Sequence, residues 1–247
     1  MDEEIKTANP LGYKKISKLL RSLAIPAIIA NLVNALYNVV DQIFIGQGIG
    51  YLGNAATNIA FPITTICLAI GLTLGIGGAS NFNLELGRGN PEKSKHTAGT
   101  AASTLIIIGI ILCITIRIFL EPLMISFGAT DKILQYSMEY TGITSYGIPF
   151  LLFSIGANPL VRADGNARYS MIAIIVGAVL NTILDPLFMF VFHCGIAGAA
   201  WATVISQVVS ASLLLIYFPR FKSVKFSLND FIPQIHYLKR IISLGFA

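Results

Sequence analysis

Apolar residues run almost unbroken through six stretches of the chain, at about 17–45, 54–86, 97–120, 133–161, 169–191 and 198–218. A hydrocarbon core of ~30 Å is crossed by about 20 helical residues, so the pattern predicts an all-α polytopic membrane protein with a six-helix bundle. Several stretches exceed the minimum span, which predicts tilt or ends that project past the bilayer. The polar exceptions inside these stretches are ordered. Asn31, Asn34, Asn38 and Asp41 of the first are spaced by three, four and three, within an arc of roughly 80° on one helix face. Asn181 and Asp185 share a face of the fifth, and Thr203, Ser206 and Gln207 punctuate the sixth.

These groups also share a height. At 1.5 Å per residue, Asp41 lies ~30 Å along from Arg21 and Asp185 ~25 Å along from Arg168, while Thr203 starts near that level on a helix running the other way. Asp185, set in LNTILDPLFMF and followed by Pro186, is therefore expected to share a polar cavity with Asp41, Asn181 and Thr203. Ionisable residues inside a membrane mark functional sites because their charged forms are costly there. A proton or a sodium ion would relieve the repulsion between two such carboxylates. The plainer alternative is that each aspartate caps or pins a kinked helix.

Gly71 and Gly75 form a GxxxG that Ala79 continues, a spacing that lets helices approach closely in lipid. Pro26, Pro62 and Pro149 interrupt helical segments, and each favours a kink.

Composition agrees with the pattern. The 247 residues are 55% hydrophobic and 12% charged, against roughly a quarter charged in soluble domains. No short apolar stretch with a small-residue cleavage site precedes the first span, which is therefore expected to be a permanent helix. Cys67, Cys113 and Cys194 are odd in number and set among apolar neighbours, which argues against a disulfide framework. The net charge of +5 belongs to the connections and forms no basic stripe with aromatics, so no nucleic-acid partner is expected.

Fifteen of the 17 Lys and Arg residues fall on one side: Lys6, Lys14, Lys15, Lys18 and Arg21; Arg88, Lys93 and Lys95; Arg162 and Arg168; Arg220, Lys222, Lys225, Lys239 and Arg240. Arg117 and Lys132 fall on the other. The positive-inside rule then places both chain ends in the cytoplasm. The expected organisation is a cytoplasmic segment at 1–16, a six-helix lobe at 17–218, a cytoplasmic linker at 219–238 and the start of a seventh helix at 239–247. KRIISLGFA in that last stretch echoes KLLRSLAIP of the first span, and many transporters are built from repeated halves.

Glu85, Arg88 and RADGNAR read as interface and gate chemistry, and His96 and His193 as solvated. No Walker loop, HExxH, GxSxG or aspartate-rich prenyltransferase pair is present, so no enzyme and no cofactor are expected. An intramembrane enzyme using paired aspartates is a distant alternative.

YNVVDQIFIGQ, NPLVRADGNARYSM, GAVLNTILDPLFMF and GIAGAAWATVISQ, in that order, resemble the amino-terminal lobe of multidrug and toxic compound extrusion (MATE) transporters. The similarity covers roughly residues 15–218. It implies one six-helix lobe of a twelve-helix transporter in a prokaryotic plasma membrane, exporting cationic amphiphilic compounds in exchange for protons or sodium. The second lobe would be a missing half or a second copy. In the DinF-like branch the resemblance implies Asp41 and Asp185 as coupling carboxylates, with Asn181 and Thr203 beside them and a possible sodium ion at these four. It further implies a hinge at Pro26 and cavity-lining roles for Asn34, Tyr37 and Asn158, although the height estimate sets Asn158 nearer the cytoplasm. The rival class with a related lobe is a flippase of lipid-linked oligosaccharides. Their pyrophosphate calls for cavity Arg or Lys, and none is expected inside spans 1, 2, 4, 5 or 6.

Overall fold

The structure is a computed structural model and describes residues 16–246. The expected cytoplasmic segment up to residue 15, with Lys6, Lys14 and Lys15, lies outside the described residues, as does Ala247. The helices are α1 (Ile16–Ile49), α2 (Tyr51–Gly87), α3 (Pro91–Ile118), α4 (Leu120–Ser126), α5 (Asp131–Thr144), α6 (Ile148–Ala163), α7 (Ala167–Pro186), α8 (Gly195–Tyr217) and α9 (Ile235–Gly245). Five of these, α1, α2, α3, α7 with its following turn, and α8 with its following turn, are long and apolar enough to cross a membrane.

The fourth apolar stretch is not one helix. It is built from α5 and α6, joined end to end by a 3₁₀ turn at Ser145–Gly147. Pro149 explains the join: it has no N–H to donate, and its ring crowds the carbonyl of Ser145, four residues back. Pro26 and Pro62, by contrast, sit inside continuous α1 and α2. Pro186 closes the α-helical part of α7, and a π turn, Leu187–Val191, begins two residues after Asp185. Such widened turns are rare and recur at functional sites.

Two tight connections depend on glycine. Gly50 takes φ 82° between α1 and α2, and Gly165 takes φ 86° between α6 and α7, a region that side chains with a Cβ disfavour. Asn166 then accepts the Tyr169 backbone N–H at 3.2 Å to start α7.

The core lies around α2, α3 and α6, with Phe82, Leu105, Leu152 and Leu160 fully enclosed. The glycine pair does what its spacing predicts. A Cβ on Gly75 would come within 2.6 Å of the Gly156 backbone, so α2 and α6 meet main chain to main chain. α1 packs chiefly on α7 and leaves Leu32, Leu36 and Val39 exposed.

At the end where α6 turns into α7, Asp164 is fully buried. It accepts the Tyr217 hydroxyl at 2.8 Å and the backbone N–H groups of Lys222 and Ser223, each at 2.9 Å. The segment after α8 is thereby held against the bundle, and Phe218, Phe221, Phe226 and Phe231 pack together beneath it. Ser227 and Asp230 form a capping box. His96, expected to be solvated, instead sets Nδ1 3.1 Å from the Asp230 carboxylate and stacks on Tyr237. α9 then docks on α2. A Cβ on Gly77 would overlap the Ile241 carbonyl, and Arg240 pairs with buried Glu85 at 3.0 Å.

Candidate functional site

Asp41 ends the polar stripe of α1 and Asp185 stands on the last turn of α7. Their carboxyls are near enough to act on each other electrostatically. Both are withdrawn from the surface, Asp41 at 8% and Asp185 at 0% exposure. Asn181, one turn before Asp185, donates Nδ2 to Asp185 Oδ1 at 3.2 Å and also lies 3.4 Å from the Thr203 hydroxyl of α8. α1, α7 and α8 thus bring the four residues into one cluster.

Further groups, absent from the sequence-based set, complete the surround. Gln42 donates to Asp41 Oδ2 at 3.3 Å and accepts the Thr57 hydroxyl of α2 at 3.2 Å. Tyr140 of α5 lines the same cavity as Asp41 and Thr203. Gln42 could have been suspected as the neighbour of Asp41. Thr57 and Tyr140 carry no sequence signal that separates them from other polar residues near a span.

The cluster has unused acceptors. Asp41 Oδ1, Asp185 Oδ2 and Asn181 Oδ1 are buried without a hydrogen-bond partner. Buried acceptors are costly to leave bare, and oxygen atoms of this kind suit a proton or a hard cation. Among the described residues no group of three or more His, Cys, Asp or Glu could hold a metal ion. A cation here would therefore be held by amide and hydroxyl oxygens as well as by the two carboxylates.

Two adjoining cavities run through the lobe. The first, about 230 Å³, is lined by Asn34, Tyr37 and Asn158, the three expected cavity residues, together with Asn181 and Thr203. The second, about 350 Å³, reaches Asp41, Gln42, Thr57 and Tyr140. Asn34, Tyr37, Thr203 and Gln207 border both, so the cavities form one tract. Asn158 is not part of the carboxylate cluster. It donates to the Ser154 carbonyl at 3.0 Å and accepts the Ser170 hydroxyl.

One expectation is corrected. Arg162, assigned by charge to the connection after the fourth span, occupies the last turn of α6 and lines the first cavity. It stands one turn beyond Asn158, so both project from one helix face. A cavity arginine is therefore present. Pro26 is buried within α1.

The MatE family model matches residues 26–187. Multidrug export protein MepA of Staphylococcus haemolyticus is 26% identical over 235 residues, covering 93% of this chain and 51% of that protein. A MOP superfamily transporter from Pyrococcus furiosus, described as having a binding pocket of reverse polarity, is 30% identical with a TM-score of 0.85, covering 93% of this chain and 51% of that one. The outward-facing conformation of a multidrug resistance MATE family transporter gives a TM-score of 0.85 at 29% identity, over 97% of this chain and 52% of that one. The chain spans about half the length of the relatives it matches.

Proposed function

The chain belongs to the MatE family, and on that premise we propose that it is one lobe of a cation-coupled antiporter, similar to the amino-terminal lobe of the DinF-like branch. The lobe would work in a prokaryotic plasma membrane with both ends of this chain cytoplasmic, and would export cationic amphiphiles in exchange for protons or sodium. Its partner would be a second six-helix lobe, either the other half of a longer chain or a second copy. The observation that carries the reading is that Asp41 of α1 and Asp185 of α7 are both buried and that each, like Asn181 beside Asp185, has a side-chain oxygen with no hydrogen-bond partner.

The chemistry follows from electrostatics. Two carboxylates in a low-dielectric enclosure repel unless a cation sits between them. A proton or sodium ion, the transported counter-ion, draws α1 and α7 together; its departure lets them part. α1 is suited to move because it packs chiefly on α7 and carries Pro26 as the hinge. A cationic amphiphile in the adjoining tract competes for the same negative charge. Asn34, Tyr37 and Asn158 would line its seat.

In the complete protein, Asp41→Asn and Asp185→Asn should each abolish gradient-driven efflux of a cationic dye while insertion into the membrane stays normal. Unchanged efflux in both would discard the assignment. The second reading is a flippase of lipid-linked oligosaccharide precursors, favoured by the presence of Arg162 in the first cavity. Preference of the purified protein for an anionic lipid precursor over a dye cation would select it.

A further inference from the structure

The tract is electrically divided. Arg162 lines only the first cavity and Asp41 only the second, with Asn34, Tyr37, Thr203 and Gln207 between them. Among the described residues the Arg162 guanidinium makes no ion pair and donates no hydrogen bond. The nearest acid in sequence, Asp164, is committed to Tyr217, Lys222 and Ser223. The acid that serves other arginines, Glu85, holds Arg88 and Arg240. A partly buried guanidinium without a counter-charge is expensive in a low-dielectric surround, and its planar fork of donors fits carboxylate, sulfonate and phosphate.

The surface around Arg162 is built for such a group. Ser154, Asn158 and Arg162 recur every fourth residue of α6 and share one face. The Ser154 hydroxyl is buried with no hydrogen-bond partner. Ser206 and Ser210 of α8 border the same cavity. The Ser206 and Ser210 hydroxyls donate to the Ala202 and Ala173 carbonyls, which leaves Arg162 and Ser154 as the free donors on the α6 face, and the one formal charge among the lining residues is positive.

We propose that Arg162 makes the first cavity an oxyanion seat, so that the amphiphiles handled by this lobe are zwitterionic: a carboxylate, sulfonate or phosphate at Arg162 and a positive group toward Asp41. The proposal deepens the antiporter reading and rests on it for the direction of transport, but the seat itself is testable without a gradient.

The test uses the full-length protein in phospholipid-free detergent and two dyes that differ at one group, rhodamine 6G and its de-esterified free acid. Equilibrium binding is followed by fluorescence anisotropy. The wild type should bind the acid at least as tightly as the ester. Arg162→Gln should lower the acid-to-ester affinity ratio about tenfold, and Arg162→Lys by about threefold or less. A ratio unchanged in Arg162→Gln, or equal losses for both dyes, overturns the seat. Retention of the bound acid against equimolar dihexanoyl phosphatidylglycerol upholds a substrate-borne anion; its displacement assigns the seat to a lipid headgroup and overturns the substrate reading. Because the ratio is read at equilibrium, failure of Asp41→Asn to stop efflux would sink the coupling scheme and leave this result standing.

Discussion

The side-chain amide of Asn181 donates to Asp185, four residues on along α7, at 3.2 Å, and stands 3.4 Å from the Thr203 hydroxyl of α8. One amide therefore orients a buried carboxylate and ties two helices at the same point. Its own oxygen is left without a partner. Replacing Asn181 by Ala removes both the orienting donor and one of the three bare oxygens. A hydrogen bond to a charged group contributes about 1.5–3 kcal/mol, which is at least a tenfold change in an equilibrium constant. Asn181→Ala should raise the coupling-cation concentration that half-saturates dye efflux by about tenfold or more, with the protein inserted normally. Transport titrated against sodium and against pH in vesicles would check it; an unchanged midpoint in both would remove Asn181 from the site.

The apolar pattern alone made the lobe legible, because helices in lipid must satisfy their backbone internally and so announce themselves as long apolar runs. The stripe from Asn31 to Asp41 was legible for a related reason: polar side chains spaced by three and four cannot face acyl chains. The break between α5 and α6 was less visible, since Pro149 is compatible with a kinked helix and only the fold shows a 3₁₀ join. Arg162 was misplaced because charge counting treats every arginine near a span end as part of a connection. Its four-residue spacing from Asn158 was the better signal. Thr57 and Tyr140 were hidden for another reason: the residues they meet lie on other helices, and which helices touch is a tertiary fact.

Gly77 offers a test of how α9 is held. Gly to Ala in a helix interior normally stabilises by about 1 kcal/mol. At Gly77 the added methyl would overlap the Ile241 carbonyl of α9, and such overpacking costs typically 1–3 kcal/mol. Steric cost wins, so Gly77→Ala should lower the melting temperature. Gly87, at the end of the same helix, would have nothing within 4 Å of an added methyl, and Gly87→Ala should leave the melting temperature unchanged or raise it. Thermal unfolding of the two variants in one detergent checks the opposite signs, and a shared sign would refute the close docking of α9 on α2.

Pro26 tests the hinge by making α1 too good a helix. Proline is about 3 kcal/mol less favourable than alanine in a helix interior, yet α1 runs continuously through it. Pro26→Ala should therefore leave the protein folded and no less stable, while making a bend at this point harder to reach. If α1 bends during each cycle, dye efflux should fall about tenfold with the equilibrium affinity for dye altered less than twofold. Efflux at the wild-type rate would show that α1 works without a hinge at residue 26.

Asp164 bears on a different part of the molecule, the end where α6 turns into α7. Its carboxylate is fully buried and accepts from a tyrosine hydroxyl and two backbone N–H groups, all belonging to α8 and the segment after it. Asp164→Ala would withdraw the acceptor from all three at once, at a cost of about 3 kcal/mol. Asp164→Asn keeps one acceptor oxygen but turns an N–H toward donors, and should recover less than half of that loss. Neither change touches the cavities, whose lining does not include residue 164. Protein that survives folding should bind dye with wild-type affinity, melt several degrees lower, and be clipped sooner by protease between Phe218 and Gln234. Wild-type melting in Asp164→Ala would mean that the aromatic cluster of Phe218, Phe221, Phe226 and Phe231 holds the segment without the carboxylate.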